Sequence, residues 1–262
     1  MRSIIGRETF QEQLLVGMEG KAHWSESAFR GLVPKQNMRH HFQGDYTVFV
    51  RPFPEYLRGA LLQGPVPDKV RSDLEANIDE EENGTFAGAP HPELFLDIPQ
   101  AFGFDTDKMR RFTDTELAPA AKRYKDFLMH ATHERGWEPS VALSTIFLEG
   151  NKHERAVFDP NAPQRPSPPA EQHPLVLGYG ISPDALTLYR AHQKLDSADG
   201  EHRLAAWRMV LDHIAPEKRI DVLRTMKEAQ GLWLDWRDEV AAACGIRKGE
   251  NGQPALAGSA AR

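Results

Sequence analysis

Four side chains able to bind a metal ion fall within eleven residues of the segment YRAHQKLDSADGEH (189–202): His192, Asp196, Asp199 and His202. Imidazole nitrogen and carboxylate oxygen together form the mixed shell that suits first-row transition ions such as iron. On an α-helix, at about 100° per residue, Asp196 lies roughly 40° to one side of His192 and Asp199 roughly 20° to the other. His202 lies roughly 80° away, so it joins the same centre only through a bend or a π-type widening of the helix. A solvated helix face carries such residues too, so the cluster takes its meaning from matching groups elsewhere. Two other places supply them. Glu81 ends one helix and His91 begins the next, joined by the tight connection ENGTFAGAP, and Glu149 closes the apolar run VALSTIFLEG. Each has a simpler reading: Asp79-Glu80-Glu81-Glu82 as a solvated helix end, and His91 as a helix-start residue. Glu149 resists this, because a carboxylate ending an apolar helix lies near the core, where an unpaired charge is costly.

The elements that must carry these groups are helical. SDLEANIDEEENG (72–84) opens on a capping Ser72 and stops at Asn83-Gly84. HPELFLDIPQAFG (91–103) restarts with Pro92 in the first turn. Apolar spacing of three and four predicts further helices over 114–136, 138–150, 182–215 and 216–245. A helix over 38–64 would be kinked or broken by Pro52 and Pro54. The expectation is an all-α bundle of about seven helices, a single domain over 1–245. The proline-rich stretch 157–175 reads as an extended loop placed like a lid, and the small, polar tail 246–262 as disordered.

Composition narrows the function. A net charge of −6 argues against a general nucleic-acid binder, which needs a basic face. No apolar run reaches the roughly 18–20 residues of a membrane span, and the first residues, MRSIIGRETFQEQLL, lack a signal peptide's apolar core. The lone Cys244 excludes an intrachain disulfide and reads as a small buried hydrophobe, so the expected location is cytoplasmic. No Fe–S cysteine cluster and no glycine-rich dinucleotide fingerprint is present, so electrons for a redox reaction would come from an external donor.

Taken in order, the motifs resemble a family. NIDEEENGTFAGAPHPELF is similar to a signature of the haem-oxygenase-like diiron oxidases, relatives of the pyrroloquinoline-quinone synthesis protein PqqC and of TenA. YGISPDALTLYRAHQKLD resembles their next segment, and DGEHRLAAW followed by GLWLDWRDEV resembles the end of the same core, so the likeness runs from about residue 38 to about 245. The resemblance implies a haem-oxygenase-like bundle that binds two ferrous ions as a dinuclear centre, with O2 as co-substrate and a small-molecule substrate. It implies Glu81, His91, Glu149, His192 and Asp196 as metal ligands. Where the family expects its last histidine stands Asp199; either Asp199 replaces it or a three-residue insertion brings His202 into place. Relatives are often dimers, so a homodimer is expected. The alternatives are a PqqC-like cofactorless oxidase and a non-catalytic helical binding module. A TenA-like thiaminase would need a placed nucleophile, and Cys244 ends the last helix; a haem oxygenase would need an axial histidine, for which His23, His40 and His41 are unpositioned. Tyr46, Phe49, Arg51 and Tyr56 are candidates to line the pocket.

Overall fold

The computed structural model describes residues 4–197 and 201–258, the side chains of 195–197 and of 201 and 202 excepted. The chain is all-α. In order, the helices are α1 (Arg7–Glu19), α2 (Met38–Asp45), α3 (Phe53–Leu62), α4 (Asp68–Asn83), α5 (His91–Ala101), α6 (Thr106–Arg111) and α7 (Pro119–Glu134). They continue as α8 (Trp137–Val141), α9 (Pro174–Tyr179), α10 (Thr187–Ser197), α11 (Glu201–His213) and α12 (Arg219–Ala243). The helices are more numerous and shorter than the spacing predicts, because prolines and single 3-10 turns divide them. The stretch 38–64, for example, parts at Arg51-Pro52 into α2 with a π-helical end and α3. The segment 182–215 begins as a 3-10 turn and continues as α10 and α11 on either side of residues 198–200.

The long α12 packs along α7 and against α1, and α3 lies against α4, α7 and α8. Buried apolar residues form one cluster built around Trp207, Trp236, Tyr56 and Tyr124. Each such side chain removed from water contributes about 1.5–3 kcal/mol. Tyr46 and Tyr56 belong to this core rather than to a pocket wall, and the Tyr56 hydroxyl donates to the Val48 carbonyl at 2.7 Å. Arg51 is tied to the Arg110 and Phe112 carbonyls. No helix among the described residues is long and apolar enough to cross a membrane.

Two stretches of the core wind as π-helix: Tyr46–Val50, continuing α2, and Ala142–Leu148, continuing α8. The wider turn displaces the following side chains by about one position relative to an α-helix, a device common at functional sites. Here it places Phe49 and Leu148, which recur below.

The tail departs from expectation. Ile246–Lys248 (β1) pairs antiparallel with Pro254–Leu256 (β2), with Ile246 opposite Leu256. The cause is local: Asn251-Gly252 forms the reversal, with Gly252 at φ 78°. Ile246 is buried, and Ala257 N–H donates to the Gly245 carbonyl, docking the hairpin on the end of α12. The proline-rich loop is held as well. The Tyr189 hydroxyl donates to the Pro168 carbonyl at 2.6 Å, and Gln193 reaches Ser167 and the same carbonyl.

Candidate active site

The face of α4 that carries Asp73, Asn77, Glu80 and Glu81 is spaced i, i+4, i+7, i+8, one stripe of a helix. That stripe lines a cavity of about 420 Å³ closed by α3, α5, α10, α11 and the π segment 142–148. His91, Glu149 and His192 line the same cavity. The structure therefore brings four of the seven expected ligands, Glu81, His91, Glu149 and His192, to one place. Of the other three, the side chains of Asp196 and His202 and the whole of Asp199 lie outside the described residues.

Local sequence explains each placement. Gly84 ends α4 in the left-handed region, φ 62°, and a Cβ there would overlap the Ala89 backbone, so only glycine closes this turn. The turn is tied by Glu80, whose carboxylate accepts from the Phe86 N–H at 2.8 Å and the Ala87 N–H at 3.0 Å. It delivers His91, the first residue of α5, against α4: His91 Nδ1 lies 2.8 Å from Glu81 Oε1. The acidic run is thus split. Asp79 and Glu82 are exposed, while Glu80 and Glu81 are each only 8% exposed.

The Glu81–His91 pair is electrostatically tuned. Burial disfavours the imidazolium, yet the hydrogen bond to Glu81 and the charges of Glu81 and Glu80 outweigh it, so the ring holds its proton more firmly than usual. His91 Nε2 is buried without a hydrogen-bond partner among the described residues, and Glu80 Oε1 stands 3.5 Å from it. The His192 ring, exposed on α10, lies 5.2 Å from the His91 ring, centroid to centroid.

Glu149 caps the π segment. Its Oε1 accepts from Asn77 Nδ2 at 2.5 Å, and its Oε2 lies 3.5 Å from Arg203 Nη1. Arg203 also donates to the Thr145 carbonyl at 2.8 Å and to Glu154, which is 2% exposed and accepts from Trp207 Nε1 at 2.8 Å. Burial works to raise the Glu154 carboxyl, but the Arg203 charge and the converging hydrogen bonds hold it below its ordinary value. Asn77, Arg203, Glu154 and Trp207 escape sequence reasoning. Asn77 and Glu154 lie dozens of residues from each other and from Arg203 and Trp207, and only DGEHRLAAW, which contains Arg203 and Trp207, carries a hint.

Among the described residues, no group of three His, Cys, Asp or Glu side chains is arranged as a metal-binding set. Cys244 is fully buried, with its thiol pushed up to about 11 by burial, as befits a packing residue and not a nucleophile. His40 is exposed, and His23 and His41 are bound to Asp238 and Asp45 away from this cavity.

The architecture has a counterpart of known structure. A TenA homologue from Pseudomonas syringae pathovar tomato superposes with a TM-score of 0.65 over 92% of this chain and 98% of its own, at 14% identity. The fold is TenA-like. No protein-family model matches the sequence, and no curated protein matches it. At that identity the TenA-like likeness speaks for the fold alone, and chemistry must be argued from the cavity.

Proposed function

We propose that this chain is a non-haem diiron oxidase or oxygenase that uses O2 on a small-molecule substrate, with electrons from an external donor. The observation that carries the reading is convergence: Glu81 and His91 on α4 and α5, Glu149 on the π segment and His192 on α10 all line one cavity. The donor set, carboxylate and imidazole, suits iron, and the unpartnered buried Nε2 of His91 has the character of a ligand atom. Glu81, His91, Glu149 and His192 would hold the ions, joined by Asp196 and by Asp199 or His202. Iron bound there would supply the capacity to reduce O2, which no side chain has.

The chain's own contribution is orientation and shelter. Through Oε1, Glu81 also holds the His91 ring at Nδ1, which sets the histidine's tautomer and orients its other nitrogen. Asn77 and Arg203 hold the Glu149 carboxylate in place. Phe49, Phe53, Leu148 and Met209 give the cavity apolar walls. Anaerobic loading with ferrous iron, followed by removal of excess metal, should leave about two irons per chain; retention of fewer than one refutes the proposal.

One observation favours a second reading. The Glu81–His91 hydrogen bond is by itself a buried acid–base pair, the equipment a PqqC-like cofactorless oxidase would need. Substrate turnover that survives exhaustive chelation would select that reading over the first.

A further inference from the structure

A second cavity, of about 580 Å³, adjoins the first, and Phe49, Leu148 and Arg165 line both. Its walls include the aromatic rings of Phe29, Trp233 and Trp236. Its charges are lopsided. Of its lining carboxylates, Glu26 is paired with Lys152 at 2.6 Å and approached by Arg30, and Asp45 is paired with Arg237 at 3.2 Å. Two lining cations remain without an acid. Lys21 donates to the Phe147 and Gly150 carbonyls and lies over the Phe147 and Trp233 rings, with no carboxylate within 4 Å among the described residues. Arg165, on the proline-rich loop, makes no hydrogen bond or ion pair among the described residues. Lys21 and Arg165 line the same cavity.

Two cations on one cavity, neither paired with a carboxylate within 4 Å among the described residues, leave a place for an anion, and the partly buried rings of Phe49 and Trp233 offer a surface to a flat apolar body. We propose that the second cavity binds an aromatic carboxylate, its acid group held between Lys21 and Arg165 and its ring against Phe49 and Trp233, lining rings that are only partly buried. The volume is in the range of small-molecule sites. Burial, more than the like charges of Arg203 and Arg165, brings the Lys21 ammonium down to about 7 against the pull of Glu154; a bound carboxylate would relieve it. Because Arg165 lines both cavities, the acid-bound end of such a ligand would lie beside the first cavity. The site uses no metal ligand, so it stands whether or not iron binds next door.

The test is calorimetric titration of chelator-treated full-length protein at pH 6.5 with 2-naphthoate and with its neutral amide, 2-naphthamide. Naphthoate should bind about tenfold more tightly than the amide. Arg165→Met and Lys21→Met should each remove most of that preference while leaving the amide's affinity unchanged. Lys21 is tied to two backbone carbonyls, so its replacement risks the fold; Arg165 lies in an exposed loop, and Arg165→Met alone keeps the test decisive. Equal affinity of the two probes, no binding of naphthoate, or undiminished naphthoate affinity in Arg165→Met would overturn the assignment.

Discussion

The two adjoining cavities differ in the sign of their chemistry. The first gathers Glu80, Glu81, Glu149, His91 and His192; the second gathers Lys21, Arg165 and Arg237 among aromatic rings. Phe49 and Leu148, each placed by a π segment, lie on the boundary, and so does an ion pair: Arg203 lines the first cavity, while its partner Glu154 acts on Lys21 in the second. A net charge of −6 spread over 262 residues conveys none of this. The Arg203–Glu154 pair and the side chains of Phe49 and Leu148 stand between the two sets of charges.

The strongest way to break the contrast is to remove the ion pair on that boundary. Arg203→Met leaves the Glu154 charge buried and uncompensated, and thermal or denaturant unfolding should register a loss of about 3 kcal/mol. Both cavities should suffer. Adding Glu154→Gln in the same chain should recover part of that loss, since a double-mutant cycle isolates the pair. The pair also has a pH signature. The Glu154 carboxyl titrates below its unfolded value, so its stabilisation is complete above the ordinary glutamate range and disappears as pH falls through the lowered value. As pH falls below the ordinary glutamate range, stability in Glu154→Gln should therefore fall less steeply than in the native protein, by up to about 1.4 kcal/mol per pH unit.

Substitution at Glu149 should sharpen the contrast instead. Glu149→Ala removes a proposed ligand that lines the first cavity and does not line the second. Iron retained after anaerobic loading should drop by about half or more, while naphthoate affinity stays within a factor of about two. Loss of naphthoate binding in this variant would mean that the two cavities function as one.

How much of this could be read beforehand depended on the range of the interactions. The helices were legible because the apolar spacing repeats every few residues, and the α4–α5 connection was legible because Gly84 and Pro92 announce a stop and a start. The ligand candidates Glu81, His91, Glu149 and His192 were found by their types and order, and their convergence required the fold. The π segments were invisible, since a π turn and an α turn draw on the same residues. Lys21 was invisible for another reason. In MEGKAHW it looks like a lysine of a solvated turn, and only Phe147 and Trp233, far off in the chain, enclose it. The hairpin at 246–256 is hidden in a small, polar composition, although Asn251-Gly252 carries a signal for it.

Gly84→Ala should have a smaller but still clear effect on the acidic side. Alanine disfavours φ near +60° and its Cβ would overlap Ala89, so the turn must shift, at a cost of about 2 kcal/mol. His91 would shift with it. Iron retention should fall while naphthoate binding persists, separating the geometry of the first cavity from that of the second.

The finest distinction lies within the acidic run itself. Glu80 and Glu82 are two residues apart on α4, yet Glu80 accepts two backbone N–H groups of the 84–90 turn and Glu82, exposed, pairs with the half-buried Arg58. Glu80→Ala would leave two donors in need of a partner, and unfolding should detect a loss of about 1–2 kcal/mol, with His91 less firmly held. Glu82→Ala removes an exposed pair and should stay within about 0.5 kcal/mol of the native protein. If the two variants proved equal, the run would be a solvated helix end after all. The arrangement of His91 against Glu81 would then owe nothing to Glu80.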